Sequence, residues 1–140
     1  MLFYVMSPYS GTRTEMFSRH FDTSVAATRL VREGIPLLSP ILHWHFAAQT
    51  HGLPKDAEYW MAYNKRLFAS ADAGILLMLP GWRESKGIRE ELEWHDQARK
   101  PIYTLDLECP HIDGYEDKAY AVLLKNLRED YPLLREVPVS

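Results

Sequence analysis

Short apolar runs alternate with longer segments of helical periodicity along the chain. The apolar runs cover residues 2–6, 35–38, 73–79 and 101–105, and the first three lead directly into loops that contain proline. Runs of this length that end at turn-forming residues predict buried β-strands. The run at 73–79 is almost continuously apolar, which is typical of a central strand in a parallel sheet.

The segments between these runs predict four helices, at residues 17–33, 56–70, 85–99 and 115–128. Gly34 is placed as the C-terminal cap of the first helix. Residues 41–55 show no clear periodicity and are predicted to be irregular. The broad apolar face predicted for the first helix comprises Phe17, Phe21, Val25, Leu30 and Val31.

The alternation of strands and helices predicts the fold class. Strand–helix repeats of this kind form doubly wound α/β layouts, with helices on both faces of the sheet. We therefore expect a single-domain, Rossmann- or flavodoxin-like three-layer sandwich over residues 1–140, with a mostly parallel sheet of four to five strands. A length of 140 residues suits one domain with one core.

Composition narrows the classes of function. The chain is 46% hydrophobic and 25% charged with a net charge of -3, and it has no clustered basic patch for nucleic acid. No apolar run approaches the length of about 20 residues that a membrane span needs. The single cysteine, Cys109, cannot form an internal disulfide, so we expect a cytoplasmic protein.

The first candidate site lies at the start of the helix after the central strand. Ligands of open α/β sheets bind where strands lead into helices, and the amides of a helix N-terminus attract anions. Ser85 and Gly87 stand at that position and form a candidate phosphate cradle. Serine is also a preferred N-cap, which by itself would explain Ser85. Glycine costs helix stability there, which favours close approach of a ligand to the backbone.

Helical geometry selects one carboxylate of this helix. At about 100° per residue, Ile88, Leu92 and His95 cluster on the face that must lie on the sheet. Glu91 lies at the edge of this face, so it should be partly desolvated and suited to nucleophilic or general-base chemistry. The alternative is that Glu91 pairs with a nearby cation or simply flanks the core. The carboxylates expected to be solvated are Glu90 and Glu93.

Two further segments offer candidate ligand contacts. Tyr9 follows the first strand and should line the same crevice. Residues 43–51, HWHFAAQTH, invite a metal interpretation, but no acidic or cysteine partner stands at a specific spacing, so we predict no metal. We favour a loop that contacts the ligand, because the indole of Trp44 can stack on a planar ring. Trp82 should wall the pocket or fill a subunit contact.

An ordered series of motifs suggests a family. The motifs are YVMSPYS at residues 4–10, SPI at 39–41, Tyr59-Trp60, ADA at 71–73, LPGW at 79–82, the Ser-x-Gly-x-x-x-Glu element that ends at Glu91, and KPI at 100–102. Over residues 2–105 the chain resembles the nucleoside 2-deoxyribosyltransferase-like superfamily, which also contains nucleoside 5'-monophosphate N-glycosidases.

The resemblance implies roles for several residues. The glutamate that matches Glu91 attacks C1' of a nucleoside or nucleotide and releases the base, without a cofactor. Serine six residues earlier, here Ser85, is typical of members that bind a 5'-phosphate together with the glycine that matches Gly87. Asn64 stands where the family often has an aspartate, and its amide can hydrogen-bond a sugar hydroxyl but cannot transfer a proton. The remaining substrate-binding candidates are Ser7, Tyr9, Ser10, His43, Trp44 and Trp82.

We therefore expect a nucleoside 5'-monophosphate N-glycosidase or (deoxy)ribosyltransferase. The alternative, favoured by Asn64, is a non-catalytic nucleotide-binding or sensing module on the same fold. A third possibility is an interaction domain with a degenerate site. Relatives complete their sites with a neighbouring subunit, and the aromatic helix at 56–70 offers an interface. We therefore expect a homodimer or larger even oligomer whose ligand is a small nucleotide or nucleoside.

Overall fold

The computed structural model describes residues 1–134, and residues 135–140 of the expected single domain lie outside the described part. All four predicted strands and all four predicted helices are present. A further helix and a 3-10 turn at Trp82–Glu84 are also found. The strands are β1 (Phe3–Met6), β2 (Leu37–Leu38), β3 (Ala73–Met78) and β4 (Ile102–Asp106). The helices are α1 (Arg13–Arg32), α2 (Pro40–Thr50), α3 (Ala57–Phe68), α4 (Lys86–Ala98) and α5 (Tyr115–Asp130).

The sheet is parallel throughout, with the strand order β2-β1-β3-β4. Tyr4 of β1 is in register with Leu38 of β2 and with Gly74 of β3. The chain winds outward from β1 to β2, then returns to the other side of β1 to form β3. The carboxyl ends of β1 and β3 therefore flank a topological switch point, where open α/β sheets bind their ligands.

Two separate cores confirm the three-layer sandwich. Phe3 and Val5 of β1 point to one face of the sheet, where the buried residues of α1 and α5 cover them. Tyr4 and Met6 point to the opposite face and pack with Phe68 of α3 and with buried residues of α4. This alternation along β1 follows from the two-residue period of a strand. The second core lies directly beneath α4, so it fixes how the residues of that helix face the sheet.

Gly74 lets α4 lie close to the sheet. A Cβ atom at Gly74 would clash with the imidazole of His95, which is fully buried against this strand. Nδ1 of His95 lies 2.7 Å from the carbonyl oxygen of Glu91 and donates a hydrogen bond to it. The imidazole therefore links the strand β3 to the turn of α4 that carries Glu91.

The prediction of which face of α1 is buried is wrong. Phe17, Phe21, Val25 and Val31 are exposed, and of the predicted face only Leu30 is buried. The buried residues of α1 are Thr23, Ala26, Ala27 and Leu30, which recur at spacings of three and four. Small side chains at these positions let the helix backbone approach the sheet closely, and the larger side chains are left on the outside.

The prediction of irregular structure at 41–55 is also wrong for most of that segment. Helix α2 covers Pro40–Thr50. Ser39 is its N-cap and accepts a hydrogen bond from the Leu42 amide at 3.3 Å, and proline occupies the first helical position. Serine followed by proline is a helix-start signal as well as a strand-end signal. Within residues 1–134, none of the helices is both long enough and apolar enough to cross a bilayer.

Candidate functional site

A cleft of about 990 Å³ opens at the carboxyl ends of β1 and β3. Its walls are the loop after β1, the first turns of α1, the loop between β3 and α4, the first two turns of α4, and helices α2 and α3. The volume is at the upper end of the range for small-molecule sites. The cleft thus lies at the switch point of the sheet, as expected for a ligand site of this fold.

Ser85 caps α4 at the edge of the cleft. Its hydroxyl oxygen accepts a hydrogen bond from the Ile88 amide at 3.2 Å, which confirms its role as N-cap. The loop that leads to it turns through Gly81, whose φ of 92° favours glycine. Because the Ser85 oxygen accepts the capping bond, its hydroxyl hydrogen stays available to a ligand. The capping role and an anion-binding role are therefore compatible.

Gly87 also lines the cleft, and the protein itself leaves room there for a side chain. A Cβ atom at Gly87 would lie 3.8 Å from the Ser85 hydroxyl oxygen and 3.9 Å from the Met61 sulfur, which are ordinary contacts. Both neighbours line the cleft. Packing within the chain therefore does not require glycine at this position, whereas a ligand close to the backbone would.

Glu91 reaches the cleft from the buried side of α4, as predicted. It is only 8% exposed, and Ile88 and His95 are buried on the same side of the helix. Glu90 and Glu93 are exposed, also as predicted. Burial raises the pKa of Glu91 to about 8, because a carboxylate loses its hydration there.

Tyr4 is the polar neighbour that acts on Glu91. Its hydroxyl is buried and lowers the pKa of Glu91, although less than burial raises it. The pair does not form a hydrogen bond of standard geometry, so the hydroxyl has no such partner within residues 1–134. Burial and the adjacent Glu91 raise the pKa of Tyr4 above its usual value. The Tyr4 hydroxyl therefore stays protonated and available to donate to an ionised Glu91.

His45 on α2 lies within the segment that the sequence predicted to contact the ligand, but it was not singled out there as a site residue. It is 4% exposed, and its Nδ1 lies 2.5 Å from the hydroxyl oxygen of Tyr9. Gln49 is close enough to the same Tyr9 hydroxyl to lower its pKa, as a hydrogen-bond donor does. The Tyr9 hydrogen is then directed to Nδ1, so we assign the hydrogen of His45 to Nε2. Recognition of α2 as a helix would have found His45, because it lies one turn after Ile41 and one turn before Gln49.

Several buried polar atoms of the cleft have no hydrogen-bond partner within the described chain. They are the Ser7 hydroxyl oxygen, Trp44 Nε1, His45 Nε2 and Asn64 Oδ1. Buried polar groups in proteins are almost always paired, so a group of them around one cavity is typical of a site that binds a polar ligand. The structure thus brings Ser7, Trp44 and Asn64 together with Glu91, as the sequence predicted.

Two predicted contacts lie elsewhere. His43 is exposed and packs against Trp44 with ring centroids 4.8 Å apart, outside the lining of the cleft. A separation of two residues on a helix rotates a side chain by about 200°, so His43 and His45 point in opposite directions. Trp82 is also outside the lining, because its indole donates a hydrogen bond to Glu108 beyond β4. His43 and Trp82 therefore do not line the cleft, and a subunit contact through Trp82, the other predicted role, stays a prediction.

Arg19 supplies a positive charge to the lining of the cleft. It lines the cleft, donates a hydrogen bond to the Ser10 carbonyl oxygen, and lies 3.9 Å from the Glu15 carboxylate. A Cβ atom at Gly81 would lie 2.9 Å from its guanidinium. The guanidinium is thus held between the loops that follow β1 and β3. Ser10 contributes its carbonyl to this arrangement and lines the cleft, as predicted.

One family model matches the chain over residues 2–107, and its description is a domain of unknown function, DUF1937. The chain belongs to this family. The DUF1937 match includes all four strands and every side chain of the cleft discussed above, whereas α5 lies beyond it. A comparison with curated proteins found no match. Since the DUF1937 description assigns no activity, the function must be argued from the chemistry of the cleft.

Proposed function

We propose that this DUF1937 protein cleaves the N-glycosidic bond of nucleoside 5'-monophosphates, by hydrolysis or by transfer of the sugar to a second base. The observation that carries the proposal is the buried carboxyl of Glu91, which lies in the same cleft as the capped N-terminus of α4. A nucleophile and an anion site on one helix are what cleavage of a sugar phosphate ester requires.

The two ends of the site are spaced to hold a sugar phosphate. Ser85 and Glu91 are six residues apart, which corresponds to a rise of about 9 Å along a helix. The phosphate would accept hydrogen bonds from the Ser85 hydroxyl and from the first amides of α4, near Gly87. Arg19 adds a positive charge to the lining of the same cleft. The sugar then lies between the phosphate and Glu91.

In the proposed reaction, an oxygen of Glu91 attacks C1' while the bond from C1' to the base nitrogen breaks. The positive charge that develops on the sugar is stabilised by the carboxylate before the covalent bond forms. Water or a second base then displaces Glu91 from C1'. The Tyr4 hydroxyl supports this sequence, because it interacts with the carboxylate that departs in the second step.

Side chains on the opposite wall would bind the base and the sugar hydroxyls. Trp44 and Tyr9 offer aromatic surface, and His45 offers the Nε2 hydrogen. Asn64 hydrogen-bonds a sugar hydroxyl or the base. We also propose that the protein is cytoplasmic and that two or more copies associate through α3. Tyr59 of α3 is 44% exposed at that surface.

A nucleotide-binding or sensing module is the second candidate. Asn64 favours it, because an amide cannot supply the proton that a departing base often needs. The protonated state of Glu91 at neutral pH favours it as well, since an uncharged carboxyl is a poor nucleophile. The cleft, the anion site and the unpaired polar atoms would be the same in both cases. Only turnover separates the two functions.

The test is a panel of nucleoside 5'-monophosphates, with the corresponding nucleosides as matched controls that lack the phosphate. We expect chromatography to show release of free base from at least one monophosphate, with a KM lower than that of its nucleoside by about tenfold or more. A rise in unfolding temperature without release of base would support the sensing module. Absence of both would contradict each candidate function.

Replacing Gly87 with alanine should separate folding from binding. Alanine is favoured over glycine inside a helix by about 0.5–1 kcal/mol, and the new Cβ has room within the protein, so thermal stability should rise slightly. The same Cβ would lie where the phosphate approaches the backbone, so KM should rise by about tenfold or more. An unchanged KM in a stably folded Gly87→Ala variant would argue against a phosphate at this turn.

A further inference from the structure

The leaving base is the part of the substrate that the site restricts most strongly. Departure of a neutral base usually needs a proton from the enzyme, and a positioned acid accelerates it by about 10²–10⁴-fold. Asn64 lines the cleft with its Oδ1 buried and unpaired. Its amide offers hydrogen bonds but no transferable proton.

His45 and Tyr9 do not supply that proton at neutral pH either. The ring of His20 stacks on that of His45, with the ring centroids 4.2 Å apart. Burial and this neighbouring histidine lower the pKa of His45, so its imidazole is neutral. Burial raises the pKa of Tyr9. The carboxylates of Glu15, Glu84 and Glu90 line the cleft only from exposed positions. Among the buried described residues of the cleft, Glu91 is the one carboxylic acid, and the proposed reaction uses it as nucleophile.

The aromatic part of the cleft wall favours a cationic ring, although four basic side chains also line the cleft: Arg13, Arg19, Lys55 and Lys86. The indoles of Trp44 and Trp60 both line it, with ring centroids 6.4 Å apart, and tryptophan is the best aromatic partner for a cation. Glu90 and Glu91 add carboxyl groups on the facing helix. A cationic ring near Glu91 would also favour its ionised form, which is the form that attacks C1'.

We propose that the substrate is an N-glycoside whose base is a pyridinium ring, carried on a sugar 5'-phosphate. This inference rests on the proposed function and specifies its leaving group. A pyridinium is positively charged while it is bonded to C1', and it leaves as a neutral pyridine without being protonated. The amide of Asn64 and the neutral His45 then suffice, because they need only hydrogen-bond to the ring substituents.

The step is balanced without a cofactor. The bond from C1' to the ring nitrogen breaks, and its electron pair stays on that nitrogen. A lone pair of the ionised Glu91 forms the new bond to C1'. Water then attacks C1', the carboxylate of Glu91 leaves, and the proton of the water passes to solvent. The products are a neutral pyridine, a sugar phosphate and one proton for each turnover.

The test compares nicotinamide mononucleotide with AMP and CMP, which carry the same ribose phosphate and neutral bases. Release of base is followed by chromatography and release of protons by a pH indicator. We expect kcat/KM for the pyridinium nucleotide to exceed that for the nucleotides with neutral bases by at least about 100-fold. This factor is the lower end of the acceleration that a general acid gives, and only the neutral bases need that acid. Nicotinamide riboside, which lacks the phosphate, should be cleaved less efficiently.

Two further measurements strengthen the comparison. Asn64→Asp places a protonatable carboxyl in the cleft, so it should narrow the preference for the pyridinium by about tenfold or more. In the unmodified protein, a series of ring-substituted pyridinium nucleotides should react faster as the departing pyridine becomes less basic. Equal or faster cleavage of AMP or CMP would overturn the inference and leave the proposed function standing. Absence of cleavage of every nucleotide would overturn both.

Discussion

Replacing Glu91 with glutamine is expected to reduce kcat for base release by about 10³-fold or more while leaving the protein folded. Glutamine has nearly the same volume, and its amide can still accept from the Tyr4 hydroxyl. It cannot form the covalent bond to C1' and then leave as a carboxylate. Initial rates of base release, measured with saturating substrate, would give the effect on kcat directly.

The same substitution should make the protein less sensitive to alkaline destabilisation. The pKa of Glu91 is about 8 in the folded protein and near its usual value of 4.5 in the unfolded chain. Between these values the folded state holds a proton that the unfolded state lacks. Stability therefore falls as pH rises, by about 1.4 kcal/mol per pH unit for this group. Urea unfolding at pH 5 and pH 8 should show a smaller decline for Glu91→Gln than for the unmodified protein.

Glu93→Gln is the matched control for both measurements. Glu93 lies on the same helix, is exposed, and does not line the cleft. It should retain most of the activity and the normal dependence of stability on pH. Retention of more than about a tenth of kcat by Glu91→Gln would mean that another group attacks C1', since loss of a nucleophile costs far more.

The activity should rise with pH because Glu91 must ionise before it attacks. Below its pKa of about 8, the ionised fraction grows tenfold with each pH unit. We therefore expect kcat/KM to increase by about tenfold per unit between pH 6.5 and about 8 and then to level off. The second ionisation of a phosphate, with a pKa near 6, is largely complete over this range and adds little to the slope.

Tyr4→Phe provides the internal check on this profile. The Tyr4 hydroxyl lowers the pKa of Glu91, so its removal should shift the rise of kcat/KM to higher pH. The phenylalanine ring keeps the edge-to-face packing against Phe68. If kcat/KM instead declines as pH rises through 8, Glu91 acts as a proton donor and the proposed covalent step is wrong.

Local sequence signals were sufficient to predict the strands, the three-layer arrangement of helices and sheet, and the position of Glu91. The strands were found because parallel strands that are buried on both faces have almost continuously apolar sequences. Ser85 and Glu91 were found because an N-cap and a helical face depend only on residues within about two turns. Ser7 and Tyr9 reach the cleft because they follow β1 at the carboxyl edge of the sheet, whereas Asn64, within α3, was indicated by the family resemblance.

The tertiary structure alone decided which faces are buried and which cleft residues are polar and unpaired. The sequence of α1 offers an aromatic face and a small-residue face, and close packing against the sheet selected the small one. The segment around His45 lacks an apolar period, because α2 lines the cleft and contacts aromatic rings of α1 and α3, and only Pro40 and His45 of this helix are buried. The pKa of Glu91 likewise depends on burial beneath distant segments of the chain, which no local pattern records.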